Sequence, residues 1–517
     1  MNTRLRRIGD LAAAVLTLGV AAVPCAAQEY IGAISLTIYS IARPGAVPAE
    51  LYRFVAGQDG FYPGQSIPGY AMIRQERAVD LVRGVNRLNF SDVAAYIDPT
   101  TVTFESLTAP GGTRVIEQSF QFDLVSTAKL MERYLDQTIT VDQLAGNRVA
   151  QITGRLLSTA GGLVLASENG EIHTINAYQN VHFPTLPGGL MTRPTLVWDV
   201  SAENAGRENT RVTYQTAGIT WWADYNLQFT EGANANSGFL DVGAWVSILN
   251  RSGTAYPDAR LKLIAGDVQR AQAPDRNAEL LRARVAFEAA DAVQGFAEQS
   301  FFEFHLYTLG RNTTIADNST KQIELFPKVL RVPAKKLLVY DGLAPGYGDF
   351  GGGSATARDL GLPMNTKVDV YLEFENREAA GLGIPLPSGR MRVSQLDAAD
   401  DTLEFIGEDV IDHTPKDETV RVRLGSAFDV VGERRQVAFD IDVNAERMEE
   451  TIEVKVRNHK TEPVDVLVRE VLYRWTNNDI VESTHAYERE DVRTVHFPVT
   501  IPADGEAVVR YRVRYTW

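Results

Sequence analysis

The residues best suited to chemistry lie on one run of alternating character, Trp221-Trp222-Ala223-Asp224-Tyr225-Asn226-Leu227-Gln228-Phe229. Successive side chains of a strand point to opposite faces. Trp221, Ala223, Tyr225, Leu227 and Phe229 then belong to a core, and Trp222, Asp224, Asn226 and Gln228 share the other face. An aromatic plate beside a carboxylate and two amides has the composition that stacks on a sugar ring and hydrogen-bonds it. The same face also suits packing, with the Trp222 indole N–H given to Asp224 or Asn226. Packing is the preferred expectation, because a chain of several domains covers many such faces.

A second group follows Gly381. GLGIPLPSGRMRV (Gly381 to Val393) sets glycines and prolines at turn positions ahead of a strand carrying Arg390 and Arg392 on one face. Two such arginines could hold a carboxylate or phosphate, and pairing with Glu404 or Asp412 inside a sheet is the preferred expectation. His413, with Asp412, Glu408 and Arg390 near it in sequence, could take part in acid–base work. Thr414-Pro415 is equally turn chemistry, and a histidine beside it can simply close the turn. The binding candidates are thus Trp222, Asp224, Asn226, Arg390, Arg392 and His413. No catalytic residue is assigned, no metal ligands and no cofactor.

Three other patterns resolve into blander readings. Ser126-Thr127-Ala128-Lys129 matches the S-x-x-K of serine acyltransferases, but Lys460-Thr461-Glu462 lacks the glycine of K-T-G and Ser91-Asp92-Val93 lacks the asparagine of S-D-N. The seven histidines (His173, His182, His305, His413, His459, His485 and His496) show no H-E-x-x-H or H-x-H spacing. Asp397, Asp400 and Asp401 lack the alternate-residue spacing of a calcium loop, which leaves a solvated hairpin turn.

The elements that must position these residues are short strands of period two, broken by Gly, Pro, Asn and Asp. The last is the clearest: Val509, Tyr511, Val513, Tyr515 and Trp517 point one way, and Arg510, Arg512, Arg514 and Thr516 the other. Helical periodicity is confined to two places. Asp123 to Leu135 puts Leu124, Ala128, Met131 and Leu135 on one stripe, and the Ala-rich run Arg276 to Ser300 reads as a helix or mobile insertion. The expected fold is all-β, a series of β-sandwiches with a small Sm/SH3-like barrel preceded by a helix. Its parts are an N-terminal β domain (28–121) and a helix-plus-barrel domain (122–190). A central sandwich region (191–452) carries an insertion (271–300) and a Gly-rich loop (342–361). A C-terminal immunoglobulin-like sandwich (453–517) completes the chain.

Compartment is read from the start of the chain. Arg4, Arg6 and Arg7 precede an uncharged run from Leu11 to Val23, and Cys25-Ala26-Ala27 closes it, the order of a secretory signal peptide cleaved after Ala27. Pro24 before Cys25 disfavours a lipid anchor. Cys25 is the only cysteine, so the mature chain would hold no disulfide and no thiolate. Cleavage removes three arginines and one aspartate and takes the net charge from −15 to −17, which argues against nucleic acid or an anionic lipid surface as partner. No later run is long and apolar enough for a membrane-spanning helix.

Ten segments together resemble a bacterial family known as domain of unknown function 4139, similar to mucoidy-inhibitor-A-like proteins. They are LTIYS (from Leu36), GVNRLNFSDVAAYIDPTTV (Gly84), FPTLPGGL (Phe183), YQTAGITWWADY (Tyr214), SGTAYPDARLKLIAGDV (Ser252), FFEFHLYTL (Phe301), GLGIPLPSGRMRV (Gly381), HTP (His413), GSAFDV (Gly425) and VRNHKTEPVDVLVRE (Val456). The resemblance implies a multi-domain β-sandwich protein of the cell envelope with no established activity, and supplies no catalytic residues. The chain lacks the long coiled coil near the start that marks the mucoidy-inhibitor type.

The functional expectation is a periplasmic or secreted, non-enzymatic binding or scaffold protein for an envelope protein or a polysaccharide. The alternatives are a periplasmic hydrolase, with Asp224, Asp267, Glu408 and His413 as acid–base groups, and an outer-membrane β-barrel ending at Trp517. Prolines inside strand regions and the scarcity of evenly spaced ten-residue strands weigh against the barrel.

Overall fold

Alternation of apolar and polar residues runs through most of the sequence, and the chain is accordingly almost all β, with one α-helix among the described residues. The computed structural model describes residues 29–39, 47, 67–121, 124–145, 148–188, 190–266, 296–301, 304–343, 356–358, 365–397 and 399–517. Two compact units interleave along the chain. One comprises Met1–Gly32, Glu76–Val93 and Thr103–Val212; the other comprises Ala33–Gln75, Ala94–Val102 and Thr213–Trp517.

The first unit holds a three-stranded sheet with Thr195–Ala202 between Gly84–Ser91 and Thr113–Gln121. Trp198 is its buried centre: the ring meets Phe90 and Phe104 edge-on at 4.5 and 5.1 Å, and its N–H donates to Gln118 at 3.0 Å. Helix α1 (Thr127–Arg133) then leads into β1 (Thr138–Ala145), β2 (Arg148–Ser158), β3 (Leu163–Ala166), β4 (Ile172–Ile175) and β5 (Asn180–His182), in the sheet order β4-β3-β2-β1-β5. Met131 and Tyr134 pack on Ile139, Val141, Leu156 and Leu165 to form their core.

The helix is shorter than its sequence periodicity suggests, and its expected stripe fails. Of Leu124, Ala128, Met131 and Leu135 only Met131 is buried. The reason is local. Ser126 has an extended backbone and accepts the Lys129 N–H at 3.2 Å, so it caps the helix and forces the chain before it out of helical geometry. That contact also accounts for the S-x-x-K spacing as capping, while the Lys129 ammonium pairs with Glu132 at 3.2 Å.

The second unit contains β6 (Ile219–Glu231), β7 (Ser237–Asn250), β8 (Ser319–Asp341), β9 (Lys367–Glu375), β10 (Gly389–Leu396), β11 (Leu403–Ile411) and β12 (Thr419–Asp442), joined in the order β11-β10-β6-β7-β8-β9-β12. Only β6 and β10 run parallel within this path. The sheet rolls until its first strand meets its seventh. The Arg423 N–H donates to the Asp409 carboxylate at 2.7 Å, and a Cβ on Gly407 would lie 2.5 Å from the Leu424 carbonyl oxygen. Glycine at 407 thus permits the close approach.

The second half of β12 pairs with β13 (Arg447–Asn458). β14 (Val464–Val471), β15 (Asn478–Ser483), β16 (Thr494–Ile501) and β17 (Gly505–Thr516) follow, with β17 between β13 and β15, and β14 between β16 and the end of β8. One core serves them all, and it reaches back beyond residue 453 to Leu338, Tyr340 and Val430. In β17, Val509, Tyr511, Val513 and Tyr515 are buried and Arg510 and Arg512 exposed, as the alternation requires. Of the Ala-rich run expected to be helical, Phe296 onward is a strand paired with Phe304–Leu309; 276–295 lies outside the described residues, as does most of the Gly-rich loop 342–361.

Candidate functional site

Strand β6 buries Trp221, Ala223, Tyr225, Leu227 and Phe229, and leaves Trp222 half-buried and Asn226 exposed on the other face. Asp224 is the exception on that face. Its side chain is only 9% exposed, because three donors surround the carboxylate. The Ser247 hydroxyl of β7 donates to Oδ2 at 2.6 Å, the Trp222 indole N–H to the same oxygen at 2.8 Å, and Arg392 of β10 approaches Oδ1 at 3.4 Å. Gln322 of β8 in turn donates to the Ser247 oxygen at 3.0 Å. A buried carboxylate is stable only when so satisfied.

Register explains the meeting. Asn226 of β6, Arg392 of β10 and Glu408 of β11 stand side by side across three strands, so the guanidinium spans from Asp224 to Glu408, whose carboxylate lies 3.4 Å from Nε. The partners of Arg392 are therefore Asp224 and Glu408 rather than Glu404 or Asp412. Arg390 sits one step along the same face, opposite Asp224 in the ladder. The Trp222 ring packs against Val47, Ile67 and Leu249, and with its N–H held by Asp224 the residue is engaged on both counts.

The loop ahead of β10 is tied down by neutral groups. Buried Asn376 donates to the carbonyls of Ile384 and Pro415 at 2.7 and 2.9 Å and accepts the Gly383 N–H at 3.1 Å. The Tyr225 hydroxyl donates to the Pro387 carbonyl at 2.7 Å and Tyr307 to that of Pro385 at 3.0 Å. Burial pushes both hydroxyls well above the usual tyrosine range, so they act as permanent donors. A Cβ on Gly389 would lie 2.5 Å from the Ala223 carbonyl oxygen, so β10 can join β6 only because glycine stands there.

His413 lies apart from this row. It is exposed, two residues past the end of β11, and its Nδ1 accepts the Ser388 backbone N–H at 3.0 Å beside the Leu386–Thr414 bridge. Asp267 lies outside the described residues. The structure thus joins Trp222, Asp224 and Arg392 with Glu408, places Asn226 and Arg390 beside them, and keeps His413 at the turn. Sequence reasoning missed Ser247 and Gln322. The signal for Ser247 was a lone hydroxyl inside the apolar run Ala244 to Leu249.

Other ionisable groups form structural pairs or turns. Among the described residues, no group of three His, Cys, Asp or Glu side chains could hold a metal ion. Asp397 and Asp400 accept backbone N–H groups of the β10–β11 turn at 2.8 and 3.1 Å. In the C-terminal core, Arg434 pairs with Glu470 at 2.9 Å and Arg474 with Glu450 at 2.8 Å, all four side chains almost wholly buried. Tyr511 donates to Glu470 at 2.5 Å and Tyr473 to Glu450 at 2.9 Å, adding a second donor to each carboxylate.

Comparison with protein-family models, with curated proteins and with solved structures finds no match.

Proposed function

We propose that this chain is an exported cell-envelope protein that binds or scaffolds another envelope component and catalyses no reaction. The observation that carries this reading is the state of Asp224. The carboxylate best placed for acid–base work is engaged by Trp222, Ser247 and Arg392, and its side chain is almost wholly buried. Glu408 is engaged with Arg392, and His413 accepts a backbone N–H. An envelope protein is favoured over a polysaccharide as partner, because the Trp222 ring that would stack on a sugar packs on Val47, Ile67 and Leu249.

Two further parts belong to the reading. The arginine-rich start and apolar run are a signal peptide that sends the chain to the periplasm or beyond. The α1 module is a small Sm/SH3-like barrel, supported by a helix followed by five strands in which the fifth pairs with the first. The likeness to the mucoidy-inhibitor-like family, resting on the ten quoted segments, agrees with the envelope location.

The test is made in cells. A photo-cross-linking residue is placed at exposed Phe405 or Phe428, and the mature mass is measured after fractionation. A chain beginning at Gln28 outside the cytoplasm, cross-linked to a discrete envelope protein, is the expected result. An uncleaved cytoplasmic chain would overturn the localisation. Hydrolysis of an envelope substrate that is lost in both Asp224→Asn and Glu408→Gln would overturn the non-catalytic reading.

A further inference from the structure

Strand β8 breaks its own pattern at one point. Along one face it presents Val332, Ala334, Lys336, Leu338 and Tyr340, and all but the lysine are buried hydrophobic groups. In the ladder Lys336 stands opposite Leu372 of β9, which stands opposite Val422 of β12, and both of these are fully buried. A charged residue at an inward position of an otherwise consistent strand is a local cost that asks for a use. Among the described residues, Lys336 has no hydrogen-bond or ion-pair partner for its ammonium group. Burial, and then the repulsion of Lys460, lower its pKa from the ordinary lysine value.

The lysine borders a cavity of about 270 Å3. Its walls come from six of the seven rolled strands, among them Phe229 of β6, Leu372 of β9, Ile406 of β11 and Leu424 of β12, so the space lies within the curve of the rolled sheet and opens to solvent. Exposed Glu231 also lines it, and the charges of Glu231 and Glu462 offset part of the lowering at Lys336. The walls are apolar in the larger part, with Gln395 and Ser426 as neutral polar groups and Lys336 as the cation among them, a lining that matches a molecule apolar along its length and anionic at one end. Since a chamber of ~150 Å3 accommodates benzene, this one has room for roughly ten non-hydrogen atoms.

We infer that the rolled sheet of β6 to β12 is a binding site for a small amphipathic anion, an acyl chain of medium length whose carboxylate pairs with Lys336. The apolar tail lies against Phe229 and Leu372, and the carboxylate supplies the partner that Lys336 lacks. The site involves none of the residues around Asp224 and stands whether or not the chain scaffolds an envelope protein.

The experiment is calorimetric titration of the purified protein with octanoate, 1-octanol and octylammonium. Octanoate is expected to bind one to one, about tenfold or more tighter than octanol, the scale of one charge-assisted contact. Lys336→Met keeps the apolar stem and is expected to bring octanoate down to the octanol affinity, while Lys336→Arg retains the preference. Ile406→Trp fills the space from its wall and is expected to abolish both. Thermal melts confirm that each variant is folded. Octanoate affinity unchanged in Lys336→Met, octanol or octylammonium binding as tightly as octanoate, or no binding of octanoate to the parent would each overturn the inference.

Discussion

Replacing Asp224 separates a structural carboxylate from a catalytic one, because the two roles predict opposite signs. Oδ2 accepts from the Ser247 hydroxyl at 2.6 Å and the Trp222 indole at 2.8 Å, and Oδ1 faces Arg392 at 3.4 Å. In Asp224→Asn the remaining oxygen can sit at the Oδ2 position and keep both donors. Two charge-assisted bonds then become neutral, at about 1 kcal/mol each. The Arg392 pair, on a guanidinium 36% exposed, adds at most ~1 kcal/mol, since Glu408 still holds that group. The expected cost is about 2–3 kcal/mol. Asp224→Ala strips the acceptor from both donors inside a buried site, at about 1–3 kcal/mol per orphaned group, and leaves a void, for a total of about 4–6 kcal/mol. Urea unfolding followed by circular dichroism and tryptophan emission measures both, with the transition of the second compact unit fitted separately. An active-site acid held for chemistry would behave differently, because relieving it usually stabilises the protein. Asp224→Asn as stable as the parent, or Asp224→Ala no worse than Asp224→Asn, would refute the structural assignment.

Other substitutions probe the frame around it. Gly389→Ala places a Cβ against the Ala223 carbonyl oxygen and is expected to cost about 1–3 kcal/mol by prising β10 from β6, read as earlier loss of structure in the same urea titration. In the C-terminal core, Glu470→Leu alone leaves Arg434 charged and buried and should cost about 3–5 kcal/mol. The double variant Arg434→Met with Glu470→Leu should return to within ~1 kcal/mol of the parent or exceed it; a double variant as unstable as the single would count against that account. In the α1 module, the hydrogen bond from His182 holds the Asp142 carboxyl below its ordinary value of 3.8, helped by Gln151 and Asn180. The folded value being the lower one, this contribution is complete above about pH 4 and fades as pH falls through the lowered value. Asp142→Asn should therefore flatten the acid limb of the module's melting curve, and an unchanged limb would show that another group sets it.

Sequence alone determined what depends on neighbours along the chain. The period of two in β6 and β17 told which side chains enter the core, because a strand has only two faces. The turn at Asp397 to Asp401 and the break around Lys460 to Pro463 were equally legible, since Asx and proline chemistry acts over two or three residues. The Trp222 bond to Asp224 is of the same kind, two residues apart on one strand face. Periodicity misled at Asp123 to Leu135, where the spacing suggested a longer helix but the side-chain cap at Ser126 makes it start only at Thr127.

What only the tertiary structure decided is which distant strands became neighbours. Arg392 meets Asp224 across 168 residues of sequence because β10 returns parallel to β6, a pairing made possible by a missing side chain at Gly389. Ser247 and Gln322 reach the same carboxylate through ladders set by the register of β7 and β8. The chamber beside Lys336 exists only because β11 curls onto β12 at Gly407, and the buried Arg434–Glu470 pair only because β12 and β14 enclose one core. A strand's sequence specifies its two faces; the strand it lies beside is chosen by the free energy of the whole sheet.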